Sequence, residues 1–183
     1  MHRWTTHHKN EGDDRKHIAP TLRQGKKIML WGAISYGRKY PLVRIDLEGG
    51  SFNGQRYLDE IVRPHLAKHV AALRRWGQQH AKVVEDGSKI HWRKSIRAEK
   101  TKLKISNLAH PPYSPDLNPI ENMWANLKKR LRRCERVPTS KLELLDAIQE
   151  EWEAIPVSTV NKLIDGMENR RRSLISSRGW SLR

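Results

Sequence analysis

One cysteine (Cys134) and one phenylalanine (Phe52) occur in 183 residues. A lone thiol excludes an internal disulfide and a cysteine-rich zinc site, and it fits a reducing compartment. Long apolar runs are missing as well. Nothing approaches the roughly 18 apolar residues of a membrane-crossing helix, and the first residues lack the apolar centre of a secretion signal. Acid is in short supply: 20 Asp and Glu stand against 36 Lys and Arg, a formal charge of +16. The excess base is spread through "RQGKK", "RKSIRAEKTKLK", "KKRLRR" and "NRRRS". A polyanion is the natural partner of such a chain, because phosphates neutralised by Lys and Arg release condensed counterions. A merely soluble basic surface, a ribosome-like protein or a membrane-surface protein would share that charge. With a reducing compartment, the basic clusters favour the nucleus. The length allows one domain with a real core, or one domain with an appendage.

Residues 1–26 are polar, show little periodicity and read as an extended arm or loop. "KKIMLWGAISYG" (26–37) and "KYPLVRIDLEGG" (39–50) suggest two strands joined by a turn near Gly37. From Asn53 to Trp76 the apolar residues follow helical spacing, with a kink or break expected at Pro64. "HAKVVEDGSKIHW" (80–92) reads as a short buried strand entering a polar turn. A basic helix (about 93–101) and a short strand in "LKISNLAH" follow. Residues 139–183 are helical again, interrupted at Pro156. Strands alternating with helices make an α/β pattern, in which functional side chains often sit at the carboxyl ends of strands. Asp86 holds such a position, although an Asp in "EDGSK" also suits an ordinary turn.

"SPDLNPIENMWANLKKRL" (114–131) has its own local logic. Asn118 is a good N-cap, and Pro119 falls at the first helical position, where a missing N–H costs nothing. Glu121 follows where a carboxylate can reach back to the cap and meets the positive end of the helix dipole. Ile120, Met123, Trp124, Leu127 and Leu131 form a buried stripe, with Glu121, Lys128 and Arg132 on one flank. A capping glutamate on an amphipathic helix accounts for all of this. His65 and His69 are one helical turn apart, but no third zinc ligand is evident, so a solvated helix face is the reading. Trp124 and Trp152, among seven tryptophans, fit core stripes. "KKRLRR" reads as a solvated or phosphate-facing helix end.

"YSPDLNPIENMWANLKKRL" nevertheless resembles the signature of the mariner/pogo-like transposases, the cut-and-paste branch of the DDE superfamily. In that family a strand ends in an Asp, a small polar turn and a His, and 34 intervening residues lead to the acid of a "SPDLNPIE" helix. Here "VVEDGSKIH" supplies Asp86 and His91, "SPDLNPIEN" supplies Glu121, and 34 residues separate the two acids. "IMLWGAIS" and "IPVSTVNKLIDGMENRRR" also resemble the family, so the likeness covers most of the chain.

The resemblance implies a ribonuclease-H-like mixed sheet flanked by helices, acting on DNA in transposition and integration. It divides the chain into a linker-like arm (1–26), a DDE catalytic core (27–135) and a C-terminal helical segment (136–183). It makes Asp86 and Glu121 catalytic ligands of Mg²⁺ or Mn²⁺. Two such ions about 4 Å apart stabilise the attacking and leaving oxygens of a phosphodiester. Lys128, Lys129, Arg132, Arg133 and His91 are the expected DNA contacts. DNA and a second copy of the chain are the expected partners, with no membrane and no small-molecule substrate.

The family implies a third acid, on the first strand of the sheet. Residues 1–26 resemble the loop that follows that strand, so the chain is expected to begin just after it. Asp13 and Asp14 lie in the loop-like part, and Asp46 and Glu48 on a strand, and none matches the third ligand. The helix-turn-helix modules that would recognise transposon ends are likewise not matched. A two-metal site short of one carboxylate should bind its ions poorly, and an absent inner strand should leave backbone groups unpaired. The expectation is a transposase-derived domain that is inactive as it stands. The alternative is a domesticated, non-catalytic nucleic-acid-binding or partner-binding protein.

Overall fold

The computed structural model describes residues 2–3, 28–48, 50–86, 88–109, 111, 114–134 and 138–176. Apart from 2–3, the expected arm lies outside them. The chain divides into two compact units, one built from residues 45–118 with 167–183, the other from residues 2–44 with 119–166.

In the second unit, β2 (Met29–Trp31) lies between β1 (His2–Arg3) and β5 (Val43–Ile45), and β1 pairs with it antiparallel. β3 (Ile34–Ser35) and β4 (Arg38–Lys39) form the expected hairpin, whose turn holds Gly37 at φ +73°. α4 (Pro119–Leu131) packs against α5 (Lys141–Ala154) and α6 (Val157–Asp165). Ser140 caps α5 by accepting from the Glu143 N–H at 3.1 Å, and Glu143 reaches back to the Thr139 N–H at 2.8 Å. Leu30, Met123, Trp124, Leu127, Ile148, Trp152 and Val160 fill the core, each worth roughly 1.5–3 kcal/mol in buried apolar surface. The expected core tryptophans meet there: Trp124 and Trp152 stack with ring centroids 5.3 Å apart. Gly32 packs tightly against Trp124, since a Cβ there would lie 3.0 Å from both Trp124 and Leu42. Lys39 donates to the carbonyls of Trp152, Glu153 and Ile155, capping the end of α5. The Gly37 N–H donates to Asn161 Oδ1 at 2.7 Å and ties the hairpin tip to α6.

In the first unit, Asn53 caps a helical run by accepting from the Arg56 N–H. The run starts as α1 (Gly54–Tyr57), widens into a π-helical stretch (Leu58–Leu66) and continues as α2 (Ala67–Arg75). Of the kink or break expected near Pro64, the break does not occur, and the helix is instead distorted there. Pro64 lies inside the π-helical stretch, whose wider turns absorb the residue that cannot donate an i→i−4 bond. Leu58, Ile61, Val62, Leu66 and Val70 line the buried face. β6 (Lys82–Val83) and β7 (Ser106–Asn107) pair in parallel across α3 (Lys94–Lys102), a βαβ unit. Asp46 and Glu48 lie past the end of β5 rather than on it, and the Glu48 N–H closes an Asx turn on Asp46 at 3.0 Å. α7 (Met167–Ser176) packs on the 3₁₀ turn Pro115–Leu117. Among the described residues the strands are thus two or three residues long and pair as three small sheets.

Candidate active site around Asp86

Asp86 stands three residues beyond the carboxyl end of β6, where a parallel strand pair opens. The Ser88 N–H donates to its Oδ1 at 3.1 Å, and His91 Nε2 lies 2.9 Å from the same oxygen. Because an ionised carboxylate only accepts, that nitrogen carries the proton. Burial, the largest influence, opposes ionisation of Asp86; the hydrogen bond from His91 and nearby positive charge act the other way and together hold the carboxyl below the usual aspartate range.

Behind Asp86 is a buried polar network that the sequence did not reveal. Its hub is Glu85, whose side chain is 7% exposed. Glu85 accepts from the Tyr57 hydroxyl, from the Lys100 ammonium and, at 2.5 Å, from Asn107 Nδ2. Burial pushes the Glu85 carboxyl up, but the His91 ring and the Lys100 ammonium beside it prevail and lower it. Burial first, then the Glu85 charge, push the Tyr57 phenol well above its ordinary range, so it remains a donor. The Tyr57 ring meets His91 edge-on, with centroids 4.6 Å apart. His91 Nδ1 lies 3.5 Å from Glu85 Oε1 without a hydrogen bond.

His91 therefore faces inward. Only 3% exposed, it has almost no surface to offer DNA, and its Nε2 is turned to Asp86. Glu121 occupies the first turn of α4, as the sequence leads one to expect, and belongs to the other unit. Lys128 and Lys129 lie in the last turn of α4, and Arg132 and Arg133 follow in the turn beyond. Lys129, Arg132 and Arg133 are exposed. His65 and His69 sit half-buried on one helical run, their centroids 6.4 Å apart. Among the described residues, no group of three His, Cys, Asp or Glu side chains could hold a metal ion. No described helix is long and apolar enough to cross a membrane.

Comparison with known proteins agrees with this picture. The Tc1 transposase of Caenorhabditis elegans is 28% identical over 167 residues, which span 91% of this chain and 58% of that one. The Tcb2 transposase of Caenorhabditis briggsae is 28% identical over 156 residues, 85% of this chain and 54% of that one. The chain thus spans a little over half the length of the curated relatives it matches. The catalytic domain of the Mos1 transposase, solved with raltegravir and magnesium, aligns with a TM-score of 0.71 at 21% identity, over 89% of this chain and 81% of that one. A pre-cleavage Mos1 transpososome gives a TM-score of 0.75 at 19% identity, over 98% of this chain and 52% of that one. The fold is therefore the ribonuclease-H-like one of that catalytic domain. Residues 2–144 match the DDE superfamily endonuclease family, and the chain belongs to it.

Proposed function

We propose that this chain is a transposase DDE endonuclease domain that acts on DNA in the nucleus, with Asp86 and Glu121 as two of its catalytic carboxylates. The observation that carries the reading is the placement of Asp86, just beyond the mouth of a parallel strand pair with the buried His91 Nε2 2.9 Å from its carboxylate. The relatives support it by name, since the similar Mos1 structures include a paired-end complex with a left transposon end.

Mos1 structures with magnesium and with manganese point to a divalent ion. Asp86 and Glu121 offer the hard oxygen donors such an ion takes, and when bound it would stabilise charge on the phosphodiester oxygens. The described residues do not complete a donor set, and we assign no step to the ion. In this reading His91 orients Asp86, the Tyr57 ring packs on His91, and Lys100 compensates the buried Glu85 charge behind it. Lys129, Arg132 and Arg133 would bind phosphates, giving affinity without base readout.

No donor set of three is complete among the described residues, and our reading is that the 183 residues alone do not nick DNA. The test is a supercoiled-plasmid nicking assay with Mn²⁺, on this chain and on a fusion that supplies a family-type strand ending in Asp. The fusion should nick, Glu121→Gln should abolish nicking while sparing binding, and the strand with Asn for its Asp should give none. Nicking by the present chain, lost on Asp86→Asn, would overturn its inactivity. A folded fusion that binds DNA without ever cutting it would favour the non-catalytic binding protein instead.

A further inference from the structure

We propose that Trp92 is a stacking platform for an unpaired DNA base, placed beside Asp86 and fed by Lys89, Arg93 and Lys94; this rests on the DNA reading above. Trp92 is 45% exposed, whereas Trp124 and Trp152 are buried and stacked on each other. Its indole takes part in no ring contact, cation–π contact or hydrogen bond among the described residues. Neither core packing nor a buried partner accounts for it. Single exposed aromatics are ordinary, Tyr36 and Trp76 being more exposed still; what sets Trp92 apart is its place one residue after His91, among exposed bases.

The setting identifies the partner. Lys89, Arg93, Lys94 and Arg97 are all exposed, and none forms an ion pair with a described residue. Lys94 lies in the first turn of α3, where positive charge opposes the helix dipole, so helix stability does not explain it. Exposed bases around an exposed indole are the elements of single-strand recognition: the charges follow the phosphates and the ring takes a base face. Bases within an intact duplex keep their faces covered by their neighbours. An unpaired base, freed from the duplex stack, is what Trp92 would take.

Position links this surface to the acid. Trp92 directly follows His91, whose Nε2 is 2.9 Å from Asp86, so the segment that carries the indole is anchored to the carboxylate. A base displaced where a strand is cut would then find its stacking surface within the same short loop. Sequence preference should be slight, because every base has a π-face.

The test compares binding of this chain to a blunt duplex and to the same duplex with a short single-stranded overhang containing 2-aminopurine. Trp92→Ala should lose about 5- to 100-fold affinity for the overhang, the range expected for one stacked base, and leave the blunt duplex unchanged. Trp92→Phe should retain most of the affinity. The quenching of 2-aminopurine seen with the natural chain should vanish in Trp92→Ala, with circular dichroism unchanged. Lys89→Gln, Arg93→Gln and Lys94→Gln together should instead flatten the salt dependence, by about 0.7 in log–log slope for each single-strand phosphate that is no longer neutralised. If Trp92→Ala binds the overhang as well as the natural chain does, while affinity still falls with salt, the platform is wrong and the DNA reading stands. If neither DNA binds at low salt, the DNA reading fails and takes the platform with it.

Discussion

The Lys100 ammonium is hydrogen-bonded to the Glu85 carboxylate in a site where the two side chains are 3% and 7% exposed. Such a pair is costly to assemble and costlier to break. Removing one partner strands a charge in a poorly solvated place, which typically costs about 3–5 kcal/mol. Lys100→Met should therefore destabilise the protein by about that much in urea unfolding. Adding Glu85→Gln should recover a large part, because the amide still accepts from Tyr57 and buries no charge. If Lys100→Met unfolds at the same urea concentration as the natural chain, the pair contributes nothing.

Lys104 follows α3 with φ +57°, in the left-handed region. The Ile105 N–H donates to the Lys100 carbonyl at 2.8 Å and the Lys104 N–H to that of Thr101 at 3.0 Å, so the helix ends in a Schellman motif without its usual glycine. Lys104→Gly should raise stability by about 1 kcal/mol. A thermal midpoint that falls would show the backbone unstrained there.

Lys39 serves three carbonyls at once. Lys39→Met keeps the apolar stem and should cost about 1.5–3 kcal/mol, the worth of charged hydrogen bonds left unmade. Lys39→Arg should rescue little, since a planar guanidinium cannot converge three donors on one point. Thermal melts of the three proteins decide it.

Burial, then the charges of His65 and Lys68, lower the His69 imidazole to about 4. The folded value lies below the unfolded value of about 6.5, so the unfolded chain binds the proton first. Stability from neutral His69 is full above about pH 6.5 and is lost as pH falls toward about 4. The site is half exposed, so the loss should be only about 1–2 kcal/mol. His69→Gln should flatten urea midpoints over that window. An unchanged slope would move the acid sensitivity elsewhere.

Most of the helical frame was legible in sequence. The stripe Met123, Trp124, Leu127, Leu131 is the buried face of α4, and the Gly37 turn is a hairpin. Pro64 rightly marked an irregular stretch, but its form, a change of helical pitch rather than a break, is announced by no apolar period. Asp86 was legible through its place after an apolar strand, but the hub beside it was not. Glu85 reads as one more turn acid, and its partners Tyr57 and Asn107 lie 28 and 22 residues away in sequence. One local sign existed: Lys100 follows Ile96 by one helical turn, a charge in an apolar place. The burial of His91 was not legible, because its neighbours Lys89 and Arg93 are exposed while its own ring turns inward.

The hydrogen bond between Gly37 and Asn161 joins residues 124 apart in the chain. A ribosome working at about 5–20 residues per second makes the hairpin about 6–25 s before the helix that holds its tip. Through that interval Leu30 has neither Trp124 nor Trp152 to cover it. Residues 45–118, by contrast, leave the ribosome as one uninterrupted stretch and form most of the other unit. The middle of the chain can settle first, and its earliest strands must wait with their apolar side chains bare. Translation halted before Asn161 would thus release one nearly complete unit beside an orphaned hairpin, a natural target for a chaperone.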